Sequence, residues 1–168
     1  MSEPTPSDSA RDSDKPRSVL HEMCIRGDKY REDYEFEMFG RDVTAALGPL
    51  KDQKFLPIAG FLKEHLGMDE DEAVEMVEEA KEEAEDGESI DITKMDTEFV
   101  IAMQKAAIHG LRGSYTEEGE YVSISEEEAR SMVESMVGGY SVELGGRVLE
   151  ISGDVRDATK FRGTRGSI

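Results

Sequence analysis

The chain has 168 residues, and its 39 Asp and Glu against 20 Lys and Arg give −19 at neutral pH. With 37% hydrophobic and 35% charged residues it holds enough apolar matter for one core and does not read as disordered throughout. That acidity argues against gripping nucleic-acid backbones, which takes clustered Lys and Arg, and against docking on anionic lipid.

No uncharged stretch exceeds Val43–Leu50, far short of the ~20 apolar residues that span a bilayer, and no basic segment followed by an apolar one opens the chain. Cys24 is the single cysteine, so it has no internal disulfide partner. A cytoplasmic location is expected, or a virion-associated one if the protein is viral.

Residues 1–17 hold Ser, Pro and Asp and almost nothing apolar, and are expected to be a disordered tail. A single domain is expected over 18–152, followed by a basic Gly-rich tail at 153–168. Ser18–Ile25 can add a short helical turn with Val19, Leu20 and Met23 as its apolar side. Tyr34, Phe36 and Met38 then alternate with Glu35 and Glu37, the period of a half-buried strand, and Val43, Ala45 and Leu47 alternate back after Gly40-Arg41. These features predict a β-hairpin at 34–47, closed by Gly48-Pro49.

The middle reads as helical. Phe55, Leu56, Ile58, Ala59, Phe61, Leu62 and Leu66 recur at helical spacing, with Gly67 placed as a C-cap. Asp69 and Glu72 form a capping box for the next helix, whose buried stripe is Ala73, Val74, Val77, Ala80 and Ala84 and which Gly87 ends. The short connection predicts that these two helices pack as an antiparallel hairpin. A third helix opens at Asp96 or Thr97. Its Phe99, Val100, Met103, Ala106, Ala107 and Leu111 make it the most apolar, so it is expected at the centre of the core.

Ser125 and Glu128 form another capping box, for a helix ending at Gly138-Gly139. Alternation of Tyr140, Val142 and Leu144 around Gly145-Gly146 predicts a second, C-terminal hairpin at 140–151. The expected fold is therefore α+β, with an N-terminal hairpin, three central helices, a fourth helix and a C-terminal hairpin.

The densest charge lies at Asp69–Asp96, with fourteen Asp and Glu against Lys81 and Lys94, or −12. A calcium-loop reading fails there: the fifth, sixth and twelfth places counted from Asp69 hold Ala73, Val74 and Ala80 instead of a ligand, Gly and Glu. A solvated helix face accounts for the same residues. His21-x-x-Cys24 lacks the further ligands that zinc takes, and His65 and His109 sit near helix C-termini, where imidazole suits the dipole. The glycine clusters match no phosphate-binding motif. No metal, cofactor or catalytic residue is expected, and Met76, Met103, Met132 and Met136 on the helices are expected to pack the core or else to line an exposed interaction groove.

One segment resembles a known family. Tyr34-Glu-Phe-Glu-Met-Phe-Gly-Arg-Asp-Val-Thr-Ala-Ala-Leu-Gly-Pro-Leu50, followed by Phe55-Leu-Pro-Ile and a helical stretch to residue 66, looks like the opening of tail-assembly-chaperone-like morphogenesis proteins of tailed viruses. Gly40-Arg41-Asp42-Val43 takes the place of the family's hairpin turn. The resemblance implies a protein that assists assembly by contacts and has no catalytic signature.

The general acidity fits a salt-accumulating halophile, because about 1 M salt shrinks the Debye length to ~3 Å. The expected function is a non-enzymatic assembly or adaptor protein of a halophilic archaeon or its tailed virus. It would bind a protein partner, such as a viral structural protein, or a second copy of itself. Gly145–Ile168 carries five basic and three acidic side chains, a reversal of sign, so Arg156, Lys160, Phe161, Arg162 and Arg165 are the expected partner-binding residues. The alternatives are an acidic decoy for a basic partner and a small enzyme using carboxylate acid–base chemistry.

Overall fold

A four-stranded antiparallel sheet covers a layer of helices, and both hairpins that build it lie in the interior of the chain. The computed structural model describes residues 16–84 and 89–157. Helix α1 (Val19–Lys29) precedes β1 (Glu32–Met38) and β2 (Arg41–Leu47). Then come α2 (Asp52–Leu66), α3 (Glu70–Glu83), a 3-10 turn at Ile92–Lys94 and α4 (Thr97–Gly110). β3 (Leu111–Tyr115) and β4 (Tyr121–Ser123) follow, then α5 (Glu126–Ser135) and α6 (Tyr140–Arg156). The strand order is β1-β2-β3-β4, with β2 joined to β3 at Ala45–Ser114 and Ala46–Gly113 and an irregularity before Leu47–Leu111.

The first hairpin forms as the alternation predicts, with Tyr34 opposite Ala45 and Phe36 opposite Val43. Its two-residue turn is Phe39-Gly40, one position earlier than expected, and both residues have positive φ (52° and 79°), the handedness that matches strand twist. Gly67 closes α2 in the left-handed region at φ 61°. Both capping boxes are made, Asp69 with Glu72 and Ser125 with Glu128. Gly87, expected to end α3, lies outside the described residues.

The expected C-terminal hairpin is overturned. Residues 140–156 are the helix α6, and the second hairpin is the segment 111–123, between α4 and α5. The helices therefore number six among the described residues rather than four. The error has a physical source: Tyr140 through Gly146 are all buried, so the segment that suggested a strand and a turn has no wet face, and the polar side of the helix emerges only later at Arg147, Glu150 and Asp154. Gly145-Gly146 is a contact between helices instead of a turn. A Cβ on Gly145 would lie 2.0 Å from the Met103 carbonyl oxygen, and one on Gly146 would lie 2.6 Å from a Val77 methyl. Bare Cα atoms there let α4 and α3 close directly on α6. α6 also runs past residue 152, where the expected domain ended, to Arg156.

The helical hairpin of α2 and α3 is likewise absent, because α2 packs on α4 while α3 packs on α6. α4 and α6 form the central pair. As expected, α4 lies at the heart of the core, where Phe99, Ala102, Met103, Ala106 and Ala107 are buried with Leu47, Leu62, Leu144, Leu149 and Ile151. β1 turns Tyr34, Phe36 and Met38 toward this layer and leaves Asp33, Glu35 and Glu37 in solvent.

Candidate functional site

Two places stand out, one by its chemistry and one by its exposed apolar surface. The first joins β1, α3 and α6. The Tyr34 hydroxyl donates to the Glu143 carboxyl, Lys81 donates to the Tyr34 oxygen, and Lys81 Nζ lies 2.9 Å from Glu143 Oε2. Glu143 is buried within α6, while Lys81 is about half exposed. Burial and the hydrogen bond to Glu143 push the Tyr34 phenol up to about 12. Burial pulls the Lys81 ammonium down, but its hydrogen bonds to Tyr34 and Glu143 outweigh that and leave it raised.

Both shifts favour the protonated phenol and ammonium, and the three side chains tie β1, α3 and α6 together. It borders a cavity of about 350 Å³ also lined by Val74, Glu78 and Gly146. Arg147 beside it bridges Glu32 and Glu150, at 2.6 Å each. Sequence reading missed this cluster. Its one available signal was Lys81, a lone cation on α3 amid a run of acids.

The second place is α1. Ser18 caps it by accepting from the His21 amide, and none of its residues is buried. Val19 and Leu20 are each 73% exposed and Met23 is 45% exposed, along the side that sequence reading marks as apolar. Met23, Cys24 and Gly27 form one wall of a groove of about 510 Å³, with Leu50 and Val155 opposite. Buried Ser152 holds that floor in place by accepting from the Leu50 amide at 2.9 Å and donating to the Val148 carbonyl at 2.8 Å. Lys51 pairs with Asp28 at 3.1 Å and ties α1 to the start of α2.

Of the expected partner-binding residues, Arg156 lies at this groove. Its guanidinium stacks 3.6 Å over the Phe55 ring, donates to the Ser152 carbonyl at 3.2 Å and approaches Asp52 at 3.3 Å, so it fastens the end of α6 to α2. Lys160, Phe161, Arg162 and Arg165 lie outside the described residues.

His21 and Cys24 are exposed on α1. His65 stacks on Phe61, with ring centres 4.4 Å apart. His109 Nδ1 lies 3.2 Å from Glu126. Burial, with Lys54 and Arg130 nearby, lowers the His109 pKa despite the opposing pull of Glu126, which favours the neutral ring in this contact. Ala73 and Val77 are buried on α3 and its acids point outward, the solvated face expected of the acidic run. Among the described residues no three His, Cys, Asp or Glu gather as a metal site, and no helix is long and apolar enough to cross a membrane.

Compared with models of known protein families, with curated proteins and with solved structures, the chain matches none.

Proposed function

We propose that this chain is a non-enzymatic assembly or adaptor protein that works through protein–protein contacts in a salt-rich host, a halophilic archaeon or its tailed virus, with α1 as its contact element. The observation that carries this reading is a helix that buries no residue while exposing Val19, Leu20 and Met23 along one side. Scattered apolar side chains on a surface are ordinary, but a contiguous apolar stripe beside a groove marks a contact site. The resemblance of residues 34–66 to tail-assembly-chaperone-like proteins supports the assembly part of the reading, and the −19 charge supports the salt-rich host. Arg156 is occupied within the fold, and among the described residues α1 is the exposed apolar helix on which the reading rests.

The test compares wild type with a Val19→Ser, Leu20→Ser, Met23→Ser variant in pull-downs from host lysate at native salt. The variant should fold and melt as wild type does yet lose the captured proteins. Capture of the same proteins in the same amounts would refute the reading.

A further inference from the structure

We propose that the open edge of β1 takes up an extended segment of a partner protein, one that alternates Lys or Arg with apolar residues and adds to the sheet as a further strand. The first observation is the edge itself. β1 is the end strand of the sheet, seven residues long and paired with β2. Among the described residues no backbone hydrogen bond reaches its other side. Every second residue of an end strand turns its N–H and C=O outward, which makes it a template for another strand. β4, at the opposite end, has three residues and offers far less.

The second observation is what lies under that edge. Tyr34, Phe36 and Met38 face the helices yet are each only half-buried, whereas Ala45 and Leu47 on β2 are buried. The cavity beside Tyr34 is lined from β1, α3 and α6 and by no residue of β2, so it opens on the unpaired side of β1. Val74, Val77 and the bare Cα of Gly146 give it an apolar floor. A chain added one strand spacing beyond β1, about 4.8 Å, sets its inward side chains over this floor. The third observation is charge. The solvent side of β1 is Asp33, Glu35 and Glu37, and their neighbours across on β2 are Ala46, Thr44 and Asp42, with no cation among them. A second copy pairing β1 to β1 would set carboxylates against carboxylates, and like charges directly opposite destabilise a sheet. The same acids that refuse a copy of this chain admit a basic strand. Main-chain hydrogen bonds then hold the segment, and its alternate side chains select it.

The probe is a synthetic peptide, Lys-Val-Lys-Phe-Lys-Val-Lys, added to the full chain in about 2 M KCl, where long-range attraction to the acidic surface is screened. Titration calorimetry should show binding, and hydrogen exchange should slow at alternate amides of residues 32–38. The same residues rearranged as Lys-Lys-Val-Phe-Val-Lys-Lys keep the charge, lose the alternation and should bind at least tenfold more weakly. N-methylation of alternate peptide amides should abolish binding in one phase and spare it in the other, because only every second amide faces β1. Glu35→Lys with Glu37→Lys, both at exposed positions, should weaken the basic probe at least tenfold and strengthen Glu-Val-Glu-Phe-Glu-Val-Glu by a similar factor. No binding of the alternating probe, equal binding of the rearranged one, two methylation phases that behave alike, or a charge reversal without effect would each overturn the proposal.

Slow exchange at those amides before any peptide is added would overturn it too, because the edge would already be filled, by residues 158–168 with their Lys160-Phe161-Arg162 or by another copy. The edge of β1 is separate from α1, and neither set of substitutions touches the other surface, so this inference and the α1 reading stand or fall apart from each other.

Discussion

Tyr34 shows how one residue ties distant elements together. It sits on the inward side of β1 and meets Glu143 from α6 and Lys81 from α3, so strand and helices share one polar contact. A carboxyl buried as Glu143 is would be costly without partners, and here it has an ammonium and a phenol. The raised phenol pKa fixes the sign of the pH effect. The stabilisation is whole below the ordinary tyrosine value of about 10 and is lost as pH climbs through about 12. In an ultraviolet alkaline titration, the phenolate missing from Tyr34→Phe relative to wild type should be one that ionises near 12. Glu143→Gln should bring that group down, because the negative charge that disfavours a phenolate beside it is gone. A difference curve centred near 10 would show that the contact does not persist in solution. The inward face of Tyr34 is legible from its alternation with Glu35. Glu143 is not, because an acid among apolar residues reads as the polar side of an amphipathic element until its partners from elsewhere in the chain are known.

At the scale of elements, the interlock of α4 and α6 carries the fold. Gly145→Ala would place a methyl 2.0 Å from the Met103 carbonyl oxygen and force the two helices apart. The loss should be about 1–3 kcal/mol or more, read from the midpoint of denaturant unfolding. Gly153→Ala is the matched control, since the same methyl later in α6 meets nothing and should be neutral or stabilise by up to about 1 kcal/mol. If both substitutions behave alike, the close approach is wrong. Phe99→Ala should cost about 3–5 kcal/mol, because its ring is only 1% exposed at the centre of the core; a loss under about 1 kcal/mol would contradict that burial. Elements with one wet face were legible: the first hairpin, α2 with Gly67, and both capping boxes announce themselves locally. α6 was not, because its first seven residues are all buried and show no period, and Gly145-Gly146 has the look of a turn. β3 and β4 were missed because Leu111 continues the apolar pattern of α4 directly into the strand, with no polar break to mark the change.

For the whole molecule, the governing quantity is charge. Exposed Asp71, Glu75, Glu78, Glu79, Glu82 and Glu83 line α3, with Lys81 its lone cation. The acids in its first turn suit the positive end of the helix dipole, but Glu82 and Glu83 sit at the negative end, where they are unfavourable. Each close exposed pair of like charges costs roughly 1 kcal/mol in water, and about 1 M salt cuts the Debye length to ~3 Å and removes most of that. The melting midpoint should therefore rise markedly between about 0.1 M and 2 M KCl. Salt also strengthens apolar burial in any protein, so the slope needs a control that keeps the core and changes only the surface. Glu79→Lys with Glu83→Lys replaces two exposed acids on α3 and should flatten the rise by making the molecule more stable in dilute salt. A wild-type midpoint that stays flat or falls would remove the argument for a salt-rich host. A rise of equal slope in both proteins would assign it to general salting of the core, and the acidic surface would then need another explanation.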